Sequence, residues 1–177
     1  SNAIPNLQFT NFYPTNTILK DLLINEDIHN PLVISPDMGA MERARYYAEM
    51  LDSDVGVFYK RRDLQNVVNG KNPIVEHIYM GNNVADRDVL VVDDMIASGN
   101  SMLEVAEKLY NKGANNIYFI ATFALFTEGI QEFDKAYEKG HFTKLYTTNL
   151  SYIPEEYQNK EWCHVVDNSY DIANIIN

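Results

Sequence analysis

Two adjacent carboxylates, Asp93 and Asp94, follow the apolar run Val89-Leu-Val-Val92, and a small hydroxyl-bearing stretch, Ala97-Ser-Gly-Asn-Ser101, comes directly after them. The run reads as a buried strand, and the stretch as a tight loop that opens a helix. Carboxylates at a strand end can hold ribose hydroxyls or Mg²⁺, and loop N–H groups at a helix N-terminus can hold a phosphate. The segment therefore has the makings of a sugar-phosphate site, with Asp93, Asp94, Ala97, Ser98, Gly99, Asn100 and Ser101 as its candidate residues. Strand alternation sends one carboxylate toward the ligand crevice and the other toward its flank. Gly99 can supply a positive φ for a phosphate-wrapping turn, and Asn100 can adopt left-handed geometry too, though less readily. Plainer readings stand beside these: the two acids could cap loop amides, and Ser101 alone reads as an ordinary N-cap.

Two other segments carry usable groups. Lys60, Arg61 and Arg62 open a basic, aperiodic stretch that runs to Pro73, read as a long exposed loop. Such loops in compact domains are usually lids or binding loops, and a lysine with an arginine fork can stabilise charge on transferred phosphoryl oxygens. The competing reading is a solvated basic turn. Asp37, between Pro36 and Gly39, is placed to hold a cation, although a lone acid in a turn usually caps its own loop. The histidines His29, His77, His141 and His164 share no short metal-ligand spacing, and none receives a role.

These segments need elements to position them. Helices are expected over Thr15–Asn25, Ala40–Leu51, from after Asn100 to Lys112, over Ile130–Glu138 and over Tyr170–Ile176. Strands are expected over Pro31–Ser35, Val55–Tyr59, Ile74–Met80, Val89–Val92, Asn116–Phe123, Lys144–Thr148 and His164–Val166. Gly113 and Gly140 close two of the helices. Strands alternating with helices imply parallel βαβ units, hence an α/β fold: an open, mostly parallel sheet flanked by helices on both faces. Ligands bind such sheets beyond the carboxyl ends of the strands. Asp37, Lys60–Arg62 and Asp93–Ser101 all lie at such ends.

The chain has 177 residues, enough for one domain with a sizeable core, and a formal charge of −11 from 14 basic and 25 acidic side chains. Long-range electrostatics then repel nucleic acid and anionic membranes, so any phosphate must be captured locally. The longest apolar run, Ile117–Phe126, is too short to span a bilayer. A single cysteine, Cys163, reads as a packed strand residue and fits a reducing cytoplasm. Ser1-Asn2-Ala3 looks like the scar of tag removal, which leaves 4–177 as one domain. A receiver-domain reading of Val-Val-Asp-Asp requires the acid pair near the N-terminus and an acceptor aspartate ending a later strand, and Asn116–Phe123 ends in none.

Four segments in order carry a resemblance: Val33-Ile-Ser-Pro-Asp-Met-Gly39 with Arg43-Ala-Arg45, Phe58-Tyr-Lys-Arg-Arg62, Val91-Val-Asp-Asp-Met-Ile-Ala-Ser-Gly-Asn-Ser101, and Tyr146-Thr-Thr-Asn149. Together they resemble the C-terminal domain of ribose-phosphate pyrophosphokinases, which have a type I phosphoribosyltransferase fold. The resemblance implies transfer of diphosphate from Mg·ATP to the 1-hydroxyl of ribose 5-phosphate, giving 5-phosphoribosyl 1-diphosphate and AMP. It implies catalytic roles for Lys60 and Arg62, a metal-site role for Asp37, ribose binding by Asp93 and Asp94, and 5-phosphate binding by Ala97–Ser101. It further implies Mg²⁺ as cofactor, a homo-oligomer, and an N-terminal domain supplying much of the ATP site, so that this chain is the C-terminal half of a longer enzyme. Ala97 stands where the commoner pattern has an acid, and Asn100 where it often has a second glycine. A phosphoribosyltransferase acting on a nucleobase and a non-catalytic synthase-associated subunit are the alternatives.

Overall fold

A computed structural model describes residues 14–62 and 74–169, with the side chains of residues 61, 62, 74 and 75 outside the described set. In chain order the elements are α1 (Pro14–Asn25), β1 (Leu32–Ser35), a 3₁₀ turn (Met38–Ala40), α2 (Met41–Leu51), β2 (Val55–Arg62), β3 (Ile74–Met80), β4 (Val89–Ile96), α3 (Asn100–Asn111), β5 (Ile117–Ala124), α4 (Gln131–Glu138), β6 (Lys144–Thr148), α5 (Glu155–Gln158) and β7 (Cys163–Val166). The expected closing helix over Tyr170–Ile176 lies outside the described residues. Among the described residues, no helix is long and apolar enough to cross a membrane.

The strands form one sheet in the order β3-β2-β1-β4-β5-β6-β7. All neighbours are parallel except β2 and β3, which form an antiparallel arm at one edge. Both faces of the central strands are buried, which is why β1, β4 and β5 read as near-continuous apolar runs. Alternation divides them between two cores. Leu32, Ile34, Val89, Val91 and Phe119 pack under α3 and α4, while Val33, Leu90, Val92 and Ile120 pack under α1 and α2. From β1 the chain passes first to β2 on one side and later to β4 on the other. The carboxyl ends of β1 and β4 thus flank the point where strand order reverses, where open α/β sheets form their ligand crevice.

Asp88 anchors the opposite end of β4. Fully buried, it accepts from the backbone N–H of His29 at 2.7 Å, the Asn115 amide at 2.8 Å, and the backbone and side-chain N–H groups of Asn116 at 3.1 and 2.9 Å. Buried carboxylates are tolerated when they are this fully hydrogen-bonded. Cys163 is buried on β7 and its thiol is pushed up to about 12 by that burial, in keeping with a packing role.

Candidate functional site

Two of the expected strand ends move by three or four residues, the others by no more than one, and both larger moves matter. Lys60–Arg62 do not begin a loop: β2 continues through them, with Lys60 paired to His77, Arg61 to Glu76 and, after a register shift, Arg62 to Ile74. The basic residues sit within the β2–β3 arm because Ile74–Met80 offers a ladder partner on that edge; residues 63–73 lie outside the described set. Likewise β4 does not stop at Val92. It runs to Ile96, pairing Asp93 with Ala121, Met95 with Phe123 and Ile96 with Ala124. Long β5 supplies the partners that carry both acids inside the ladder.

The loop after β4 is anchored from below and from one side. Leu125 N–H donates to the Ile96 carbonyl at 2.8 Å, and Thr127 N–H to the Ala97 carbonyl at 2.9 Å. Gly99 has φ +87°, the left-handed conformation that glycine adopts most readily, and a Cβ there would lie 2.2 Å from the Phe133 ring. Phe133 belongs to an aromatic floor, stacked on Trp162 at 5.4 Å, whose indole N–H donates to Asp134 at 2.8 Å. Asn100 is the first residue of α3 and is not among the positive-φ residues, so the left-handed position falls to Gly99 alone. The Asn100 amide donates instead to Glu128 at 3.3 Å.

Helix α3 begins here with its first internal bond, from Leu103 N–H to the Gly99 carbonyl at 3.0 Å. The N–H groups of Ser101 and Met102 precede that bond, so the first turn presents donors and the positive end of the helix dipole. Lys60 reaches the same spot: its ammonium donates to Ser101 Oγ at 3.0 Å. Ala97 and Asn100 are exposed and Ser98 half-buried beside them.

Opposite this electropositive end stand three carboxylates. Asp93, half-buried, accepts from Asp94 N–H at 2.8 Å. Burial first, then the charges of Asp94 and Asp37, outweigh that hydrogen bond and push its carboxyl up to about 6. Asp94 lies on the other face of the strand, 57% exposed, with Arg43 of α2 at 3.6 Å. Asp37 caps the 3₁₀ turn, Oδ1 accepting from Gly39 N–H at 2.8 Å and Ala40 N–H at 3.1 Å, the capping geometry expected of an acid in such a turn. An open cavity of about 610 Å³ adjoins Asp94, lined by Arg43, Tyr46, Thr122, Phe123 and Leu150 among others.

The crevice thus gathers Asp37, Asp93, Asp94, Lys60 and the 97–101 loop from four elements. Arg62 shares strand β2, but its side chain lies outside the described residues. Mutually repelling carboxylates on adjacent strand ends suit a divalent cation that also takes substrate oxygens, as Mg²⁺ does with one or two protein carboxylates. Among the described residues no group of three or more acids, histidines or cysteines forms a self-sufficient metal cage. Arg43 and Glu128 escape sequence reasoning because each meets its partner across the fold; the one available signal was that exposed acids such as Asp94 at a strand end call for a partner.

The comparisons with known proteins bear on family and fold. A family model described as a phosphoribosyl transferase domain matches residues 16–159. The chain is similar to the ribose-phosphate pyrophosphokinase of Haemophilus influenzae, 39% identical over 118 residues that make up 66% of this chain and 35% of that protein. It is also similar to the ribose-phosphate pyrophosphokinase of Wolinella succinogenes, 31% identical over 139 residues, covering 78% of this chain and 42% of that protein. The matched region therefore spans well under half of these relatives. Among solved structures, phosphoribosylpyrophosphate synthetase from Mycobacterium smegmatis superposes with a TM-score of 0.71 at 19% identity, over 92% of this chain and 48% of that one. The APRTase from Giardia lamblia complexed with 9-deazaadenine gives 0.54 at 17% identity, over 74% and 75%. Both structural likenesses concern the fold.

Proposed function

Given that the chain belongs to the phosphoribosyl transferase domain family, we propose that it is the ribose-phosphate-binding half of a ribose-phosphate diphosphokinase. The enzyme transfers diphosphate from Mg·ATP to ribose 5-phosphate, forming 5-phosphoribosyl 1-diphosphate and AMP. The reading is carried by the contact of Lys60 with Ser101, which brings a cation from the arm onto the first turn of α3, the helix that follows the strand bearing Asp93 and Asp94. Anionic substrate groups and sugar hydroxyls need that pairing of positive and negative ends.

In this reading the 97–101 loop and the start of α3 hold the 5-phosphate through backbone N–H groups and the Ser98 and Ser101 hydroxyls. Asp93 and Asp94 accept from the ribose hydroxyls, with Arg43 orienting Asp94. The 1-hydroxyl oxygen forms a bond to the β-phosphorus of ATP as the bond to the α,β-bridging oxygen breaks. The hydroxyl proton goes to solvent and the bridging oxygen leaves with AMP. Protein groups position and neutralise charge, as is general in phosphoryl transfer. Lys60 and Arg62 face the transferred phosphates. Asp37 would hold Mg²⁺, which when bound would neutralise phosphoryl charge. ATP use and homo-oligomeric assembly rest on the likeness to the pyrophosphokinases, and the second domain is proposed to supply the rest of the nucleotide site. A reducing cytoplasm suits the activity and keeps the Cys163 thiol free.

The decisive experiment is Lys60→Ala in the protein that carries this chain, followed as ribose 5-phosphate-dependent formation of AMP. Loss of one positioned charge stabiliser should lower kcat by about 100-fold or more, with KM for ribose 5-phosphate changed only severalfold. Unchanged turnover removes the catalytic role of Lys60. The 177-residue chain alone should bind ribose 5-phosphate weakly and turn over little, and full turnover by it would overturn the two-domain reading.

A further inference from the structure

The β2–β3 arm is tied to α3 at two levels. The upper tie is Lys60 on Ser101. One helical turn further along, His77 Nδ1 meets Glu104 Oε1 at 3.0 Å, Lys108 Nζ donates to the same oxygen at 3.1 Å, and Lys108 Nζ also lies 3.1 Å from the His77 carbonyl oxygen. The three contacts close a ring across strand and helix. Lys60 and His77 face each other directly in the antiparallel pair, so their side chains project from the same face of the sheet. That face looks onto α3.

His77 is an odd choice for packing alone. Its side chain is 1% exposed and lies against the Phe58 ring at 5.0 Å, yet its Nε2 is buried with no hydrogen-bond partner. An apolar residue would fill this space without stranding a polar atom. What an apolar residue cannot do is hold Glu104. Burial opposes ionisation of Glu104, but the hydrogen bonds from Lys108 and His77 prevail and keep its carboxyl below the ordinary range. An ionised carboxylate only accepts, so His77 Nδ1 is the donor to Glu104.

We propose that His77 is a positioning residue for Lys60: its tie to Glu104 sets the spacing between arm and helix so that the Lys60 ammonium stands at the N-terminus of α3. The inference rests on the reading of Lys60 given above, and the test separates the two. His77→Phe keeps the ring volume and removes the donor, Glu104→Ala removes the acceptor from a part-exposed site, and His77→Asn restores an N–H near the position of Nδ1.

In the intact protein, competitive amine acetylation read by mass spectrometry reports Lys60 directly, with Lys144 at the other end of the sheet as reference. Lys60 should label at least about threefold faster in His77→Phe and Glu104→Ala, and return toward the parent rate in His77→Asn. In the same variants kcat for AMP formation should fall about tenfold with KM for ribose 5-phosphate within about twofold. Parent-like labelling in both His77→Phe and Glu104→Ala overturns the proposal, as does faster labelling that His77→Asn leaves uncorrected. Faster labelling with rescue but unchanged turnover upholds the positioning and refutes the catalytic role of Lys60 instead.

Discussion

Replacing Asp93 with asparagine should make the ligand-free protein more stable while removing an acceptor from the proposed ribose site. Burial, with the charges of Asp94 and Asp37, lifts the Asp93 carboxyl from 3.8 to about 6. A folded-state value above the unfolded one means that the protein holds this carboxyl comfortably only when protonated. The associated stability is fully present below about pH 3.8 and is lost as pH rises through 6. At pH 7.5 the ionised group costs up to about 3 kcal/mol at 1.36 kcal/mol per pH unit. Solvent screening at a half-buried site reduces that to about 1 to 2 kcal/mol. Asparagine keeps an oxygen for the Asp94 N–H and carries no charge. Thermal melting at pH 7.5 should therefore rise by about 2 to 8 °C in the variant, since 1 kcal/mol moves a chain of this size by about 2 to 4 °C. The advantage should shrink steadily toward pH 4. Saturating Mg²⁺ and ribose 5-phosphate should reverse the order, because they stabilise only the ionised parent. An Asp93→Asn variant that melts at or below the parent temperature at pH 7.5, or whose advantage is the same at pH 4, refutes the reasoning.

Gly99→Ala combines a φ of +87° with a Cβ only 2.2 Å from the Phe133 ring, and chemical denaturation should record a loss of about 2 to 4 kcal/mol; a loss below about 0.5 kcal/mol would mean that the loop does not rest on that ring. Glu26 ties α1 to the sheet, accepting from Lys144 at 2.6 Å, Tyr146 at 2.8 Å and Tyr118 at 3.3 Å. Burial raises its carboxyl but these donors win and hold it below the ordinary 4.5. Its contribution is therefore present above pH 4.5 and fades as pH falls through the lowered folded value, so Glu26→Gln should flatten the acid limb of the stability curve by about 1 kcal/mol. A parent-like acid limb in the variant counts against the tie.

How much of this the amino-acid order disclosed depends on the range of the interaction. Strand and helix identities were legible because burial on both faces imposes apolar runs on β4 and β5 and amphipathic spacing on α1. Gly99 was legible because a backbone conformation selects its residue locally. The strand limits at Arg62 and Ile96 were not, since a strand extends as far as its neighbour offers ladder partners, and that is a property of β3 and β5. The same reason hid Arg43 beside Asp94, Glu128 beside Asn100 and Glu104 beside His77. His77 has no metal-like spacing to any other histidine; its significance comes from facing Lys60 across an antiparallel pair that β2 alone does not announce.

The pairing of β1 with β4 also bears on when the site comes into being. Residues 32–34 pair with residues 89–91, while the neighbouring β1–β2 and β2–β3 pairs join segments much nearer in sequence. Contacts between distant segments close the largest loops and are the slowest to form. Asp37 and Asp93 meet only once that long-range pair has zipped. A chain that stops before residue 89 lacks β4 and so has no crevice. During refolding, recovery of the ribose 5-phosphate binding proposed for this crevice should therefore time the central zippering itself, a later clock than the recovery of helix or hairpin signal.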